Sequence, residues 1–343
     1  MYPLPFPVAS ISFSSFPRFL KSLKKRKLLD KRKIQSLPID RLPNPIIFLN
    51  DDIMKRRSFI KQVCGTSLCL PAFARSSTIP YIGEIGLQLY TLRKAIAEDL
   101  PKTLEEVAKL GYKQVEPYGF PSPQSIEMIK MAKDLGMRVN SSHFTWDSIL
   151  NPKKKGIRPF AEVIEKARNH DLTDLVVPYL HNQDRKDLPA YQKTAEKLNL
   201  GAEETTEAGI RLAYHNHAFE FKPMDGDKTG FDVFVESFSP KMHFEVDVFW
   251  VKLGGIEPVD LLQKLNKRIT QLHLKDLKEG SVWPNFGKVE PEAFDEIGDG
   301  MIPIIPIMRL AQKLGIKHCH VEQDHSPSPI KSVRKSINFL KGL

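Results

Sequence analysis

The sequence predicts an α/β fold of one domain, a (β/α)8 or TIM barrel, over residues 75–343. Three observations predict it. From residue 82 onward short apolar runs alternate with amphipathic stretches, the pattern of βα units and a parallel sheet. The stretches TLEEVAKLG (103–111), SIEMIKMAKDLG (125–136) and IMRLAQKLG (307–315) place apolar residues at helical spacing and end in glycine, the usual helix stop. Eight such units fit into about 260 residues, close to the size typical of this barrel.

In chain order, strands are expected at 85–92, 114–118, 138–143, 174–179, 211–219, 243–251, 271–277 and 318–324, each a short run bounded by polar or turn residues. A doubly wound open sheet is the competing arrangement. No glycine-rich dinucleotide fingerprint follows the first strand, and no Walker loop occurs. The composition, 41% hydrophobic and 27% charged over 343 residues, is that of a globular protein. No apolar run reaches the ~18 residues of a membrane-spanning helix. Three cysteines (Cys64, Cys69 and Cys319) exclude a disulfide scaffold.

The net charge of +10 is confined to one end. Residues 1–74 hold 14 Lys+Arg against 4 Asp+Glu, whereas the remaining 269 residues hold 37 of each sign. A neutral body has no long-range field to gather phosphate backbones, which argues against nucleic acid as partner. Within the basic end, MKRRSFIKQVCGTSLCLPAFA (54–74) reads as an export signal. Arg56 and Arg57 precede a short uncharged apolar stretch, 63–73, and Ala72-Phe73-Ala74 offers small residues at the cleavage offsets. This looks like a twin-arginine (Tat) signal, and it implies a periplasmic location. Residues 1–53 are expected to be a disordered upstream extension, with Met54 as the true start and the preceding stretch not translated.

Barrel enzymes keep their chemistry at the C-terminal ends of the strands. Those ends are polar here in a non-random way. The second strand brings Glu116 and the third His143. The fifth brings His215, Asn216 and His217, followed by Glu220. The sixth brings Glu245 and Asp247, the seventh His273, Lys275 and Asp276, and the eighth Glu322, Asp324 and His325. Residues two apart share a face of a strand. Imidazoles and carboxylates converging from four consecutive strands make a divalent metal site, because buried charges of this kind need a compensating cation. Alone, each would be an ordinary hydrogen-bonded or capping residue; their coincidence at the ends of strands five to eight is what points to metal.

Residues 82–343 resemble the sugar phosphate isomerase/epimerase superfamily with its xylose isomerase-like barrel. The strings that carry the resemblance are IGLQLYTLR (85–93), LEEVAKLGYKQVEPYG (104–119), LAYHNHAFEF (212–221), FEVDVFWVKLGG (244–255), LHLKDL (272–277), EIGDGMI (296–302) and HVEQDHS (320–326). The resemblance implies one divalent ion bound by a glutamate, an aspartate, a histidine and a glutamate from strands five to eight. Asp247, His273 and Glu322 match the last three. The first falls on His215, or less well on His217, so one carboxylate is replaced by imidazole. Two nitrogen ligands shift preference from magnesium toward manganese, cobalt, zinc or iron.

The chemistry expected is proton abstraction beside a sugar carbonyl through an enediolate. Glu322 or His217 is the candidate base, Lys275 the candidate stabiliser of the oxyanion, and Glu116, His143 and Trp250 the candidate sugar contacts. The outcome is an isomerase or epimerase on a small carbohydrate. The alternative is a 3-keto-glycoside lyase or hydratase working by β-elimination, which needs a base on one face only and so suits a site with one glutamate ligand. A non-catalytic sugar-binding protein is a third reading, and a phosphodiesterase on the same barrel is disfavoured by the neutral body. A homo-oligomer is compatible with all of these.

Overall fold

The structure is a computed structural model and describes residues 84–343; the export signal, the upstream extension, Cys64 and Cys69 lie outside the described residues. Eight parallel strands form one sheet: β1 (Gly86–Gln88), β2 (Gln114–Glu116), β3 (Ser141–His143), β4 (Asp174–Val177), β5 (Arg211–His215), β6 (Met242–Asp247), β7 (Ile269–Leu274) and β8 (His318–Val321). Their spatial order is 2-1-8-7-6-5-4-3. The remaining seam, between β2 and β3, is closed by parallel bridges at Gln114–Arg138 and Phe120–Phe144. Backbone bonds Val115 N–H to Arg138 O at 2.9 Å and Phe120 N–H to His143 O at 3.0 Å complete it. The chain is a (β/α)8 barrel.

Each strand is followed by an outer helix: α1 (Leu100–Leu110), α2 (Pro123–Asp134), α3 (Phe160–Asn169), α4 (Leu188–Glu207), α5 (Gly230–Ser237), α6 (Pro258–Leu265), α7 (Ile304–Leu314) and α8 (Pro329–Lys341). Their starts follow capping chemistry. Asp99, Ser122 and Asp187 accept backbone N–H groups ahead of α1, α2 and α4, and Thr229 with Asp232 forms a capping box on α5. Gly111 and Gly315 end α1 and α7 in the left-handed region, as their sequence position predicted.

The strands alternate in character. Leu87, Val115, Leu175, Tyr214, Phe244, Val246, Leu272, Leu274 and Val321 are buried among the helices and make the main core. The residues between them are polar and equally buried, among them Gln88, Glu116, Glu245, Gln271 and His320. These meet across the barrel: Gln271 of β7 donates to Glu116 of β2, and His143 of β3 reaches Glu245 of β6 at 2.7 Å. The interior is therefore filled by hydrogen-bonding side chains rather than by aliphatic layers.

All eight expected strands exist, but most are shorter at the C-terminal end. After β1 the chain turns into a 3₁₀ segment, Leu89–Leu92, whose Tyr90 N–H donates to the Gln88 amide oxygen at 3.1 Å. Residues 248–251, expected to prolong the sixth strand, belong to the helix Val248–Leu253 instead. Asp247 caps that helix, accepting from Phe249 and Trp250 N–H at 3.0 and 3.1 Å. An apolar run of this length carries no period that separates strand from buried helix.

Candidate metal centre

The ends of β5 to β8 deliver four donors. His215 closes β5, Asp247 closes β6, His273 lies one residue before the end of β7, and Glu322 follows β8 directly. One ligand atom from each lies within 4.8 Å of the others, and all four residues are buried. Register explains the convergence, since Asp247 pairs with His273 across the β6–β7 ladder. Asn216 locks β5 to β6: its Oδ1 accepts from Asp247 N–H at 3.0 Å and its Nδ2 donates to Asp247 O at 3.3 Å.

Within the group His215 Nε2 is 3.3 Å from Asp247 Oδ2, and His273 Nδ1 is 2.8 Å from Glu322 Oε2. Lys275, two residues beyond His273, sends its ammonium to Asp247 Oδ2 at 3.1 Å, Glu322 Oε2 at 2.8 Å and Asp324 Oδ2 at 2.9 Å. Burial opposes charge on Asp247, His273, Lys275 and Glu322, yet the pairing outweighs it. Lys275 and His273 hold the Glu322 carboxyl well below the ordinary range, and Lys275 with His215 holds Asp247 below it. Against the same burial penalty, Asp247, Asp324 and Glu322 hold the Lys275 ammonium well above its ordinary value.

The donor chemistry fits a divalent ion. Two carboxylates balance its charge and two imidazoles favour a borderline metal, with all four ligand atoms close enough to share one ion.

A second, deeper layer shares His273. Glu116, His143, Glu245 and His273 also bring ligand atoms within 4.8 Å of one another. Glu116 Oε2 meets His273 Nε2 at 2.7 Å and accepts from Gln88 Nε2 at 2.8 Å, while its Oε1 accepts from Gln271 Nε2 at 2.7 Å. Glu245 Oε1 meets His143 Nε2 at 2.7 Å and His273 Nε2 at 3.2 Å, and its Oε2 accepts from Gln271. The rings of His143 and His273 stack at 5.3 Å. Beneath them His320 packs with both ring nitrogens unpartnered among the described residues, and burial lowers its pKa to about 4. Gly86 makes room for it, since a Cβ there would fall 2.3 Å from His320 Cδ2.

The outer rim is aromatic. His217 stacks on Phe219 at 5.2 Å and lies 5.1 Å from Trp250, 5.2 Å from Tyr179 and 5.0 Å from His215. Burial, His215 and Lys275 hold the His217 imidazole well below its ordinary value, so it is neutral near pH 7. The turn that presents it is tied down by Glu220, which accepts from His217 N–H at 2.8 Å and from the Tyr214 hydroxyl.

The structure thus brings together His215, Asp247, His273, Glu322 and Lys275, puts His217 and Trp250 at the rim, and sets Glu116 and His143 below the ligands, with Glu116 fully buried. The sequence pattern singled out Asn216 without a role and left Gln88 and Gln271 unmarked. Gln271 had a usable signal, because it lies two residues before His273 on the same strand face.

An α/β barrel with a buried two-imidazole, two-carboxylate cluster at the C-terminal ends of strands five to eight defines the class. The chain belongs to the xylose isomerase-like TIM barrel family, whose match spans residues 104–343. No curated protein matches the sequence. Among solved structures, a sugar phosphate isomerase/epimerase from Parabacteroides distasonis ATCC 8503 is 26% identical, covers 75% of this chain and 92% of its own, and superposes with a TM-score of 0.59. A second structure of that description from the same organism is 24% identical over 76% of this chain and 98% of its own, with a TM-score of 0.61. The IOLI protein with a binding zinc atom shares the fold at 14% identity, over 76% of this chain and 95% of its own, with a TM-score of 0.56.

Proposed function

We propose that the protein is a divalent-metal-dependent sugar isomerase or epimerase that removes a proton beside a carbonyl. The observation that carries this reading is the convergence of His215, Asp247, His273 and Glu322 with the Lys275 ammonium beside them. The relatives described as sugar phosphate isomerase/epimerases and the zinc-binding neighbour support it. A divalent ion at these residues would supply Lewis-acid stabilisation of the enediolate's negative charge, with manganese, cobalt, zinc or iron favoured over magnesium by the two imidazoles.

The remaining roles belong to the chain. His217, neutral and with its Nδ1 unpartnered among the described residues, is placed to accept the proton. Glu322 is the other candidate base. Lys275 stays charged and donates toward the developing oxyanion. Trp250, packed against His217, offers an indole face to a sugar ring.

A β-eliminating lyase or hydratase acting on 3-keto-glycosides is the second reading, and one observation favours it. His215 stands among the ligands where a second glutamate would serve the opposite face of the substrate. The deciding experiment incubates the metal-loaded protein in deuterated water with aldoses, ketoses and 3-keto-glycosides and follows the products by NMR. Deuterium at the carbon beside the carbonyl supports the shared chemistry, and the product separates isomer, epimer and alkene. No exchange with any of them, despite bound metal, refutes both. Export to the periplasm through residues 54–74 belongs to the same proposal. It predicts that replacing Arg56 and Arg57 by lysine retains the protein in the cytoplasmic fraction.

A further inference from the structure

His273 is the one side chain shared by the two layers, and it faces them with different nitrogens. Nδ1 looks to the upper layer, 2.8 Å from Glu322 Oε2 and 4.0 Å from Asp247 Oδ2. Nε2 looks to the lower layer, 2.7 Å from Glu116 Oε2 and 3.2 Å from Glu245 Oε1. A neutral imidazole that binds a cation through one nitrogen carries its proton on the other. The choice of nitrogen therefore decides which layer holds the ion.

We infer that Glu116 is a positioning residue: its carboxylate accepts the Nε2–H of His273 and thereby leaves Nδ1 free to bind the ion in the upper layer. This rests on the metal centre proposed above. Three features of the lower layer carry it. Glu116 is completely buried and lies on β2, across the barrel from the ligands, out of reach of a substrate at the rim. Gln88 and Gln271 hold both of its oxygens, so the carboxylate can neither rotate away nor swing up. The lower layer is also already closed, because amide donors and His143 occupy the same carboxylate oxygens a second ion would need. Among the described residues no amide side chain donates to the Glu322 or Asp247 carboxylate; the upper oxygens are held by the Lys275 ammonium and by His215 Nε2 and His273 Nδ1. A carboxylate behind a ligating histidine raises the ligand's basicity and fixes its ring, and losing it weakens metal binding by about 10- to 100-fold.

The test uses the full chain loaded with zinc. A crystal structure locates the ion by anomalous scattering, and competition with a chelating dye gives the affinities of wild type, Glu116→Gln and Glu245→Gln. The expected result is zinc on His273 Nδ1 with Nε2 still on Glu116. Glu116→Gln should then bind zinc about 10- to 100-fold more weakly, and Glu245→Gln within about threefold of wild type. Zinc on Nε2, among Glu116, His143 and Glu245, overturns the inference, as does a Glu116→Gln protein that holds zinc as tightly as wild type. The second result leaves the upper centre standing, whereas a wild-type chain that binds no zinc removes both. The wild-type structure decides even should Glu116→Gln fail to fold.

Discussion

The two layers inside the barrel use the same chemical parts to different ends. Each has two carboxylates and two imidazoles within reach of one another, and they share His273. In the lower layer the glutamates are satisfied by Gln88, Gln271 and His143, all from the barrel wall. In the upper layer the balancing cation is the buried Lys275 ammonium, held by three carboxylates. The difference teaches that ligand-type residues alone do not make a metal site. A closed hydrogen-bond network of wall residues makes a structural plug, and a cluster whose charge is balanced by a single ammonium leaves carboxylate oxygens that an ion could take in its place.

The comparison is broken most severely at Glu322. Glu322→Gln should lower turnover at least about a hundredfold, the lower end of what a proton-transfer group contributes, and should lose bound metal. Its metal-free stability should fall by less than that of Glu245→Leu below, since the isosteric glutamine still reaches His273 and Lys275 keeps Asp247 and Asp324. Turnover, metal content and denaturant unfolding together check this; a metal-replete, fully active variant refutes the assignment. The lower layer should answer in the opposite way. Glu245→Leu removes the 2.7 Å partner of the buried His143 and should cost about 3–5 kcal/mol of stability, read as a lowered unfolding midpoint. Equal stability costs in the two layers would erase the distinction.

Glu220 supplies a third case, a buried carboxyl whose direct partners are a hydroxyl and an amide. Burial raises its pKa from 4.5 to about 8. A raised acid stays protonated in the fold while its unfolded counterpart ionises. Stability should therefore fall as pH rises from about 4.5 to 8 and level off above that. The loss across this window is about 5 kcal/mol as an upper bound. Glu220→Gln should flatten that part of the stability profile, measured as the difference between variant and wild type at the two ends of the window; parallel profiles would show that Glu220 ionises normally. The smallest effect concerns packing. Gly86→Ala forces a Cβ against His320 and Gln114 and should cost about 1–3 kcal/mol, with metal affinity unchanged because neither neighbour is an upper-layer ligand. A drop in metal affinity would show that the plug and the site are mechanically joined.

Much of this was legible in the residue order. Strands begin where the apolar runs begin, at Gln114, Asp174, Arg211 and His318, because the alternation of buried faces is a local property. The same alternation put His215, Asp247, His273 and Glu322 on inward faces at neighbouring strand ends. The strand ends were less legible: at the rim the backbone leaves the ladder, and VFWV after Asp247 reads equally well as strand or buried helix. The amides of Gln88, Gln271 and Asn216 were harder to read as working parts, since an amide has no chemistry that announces itself and only strand position, as for Gln271 beside His273, marks it.

The local pattern by itself determined a barrel of eight βα units and a ring of imidazoles and carboxylates facing its interior. Tertiary structure decided which of them stand at the rim and which lie beneath, because that depends on strand stagger and on distances across the barrel between residues such as Glu116 and His273, 157 positions apart. Side-chain period is written in the sequence, whereas depth along the barrel axis is set only when the sheet closes.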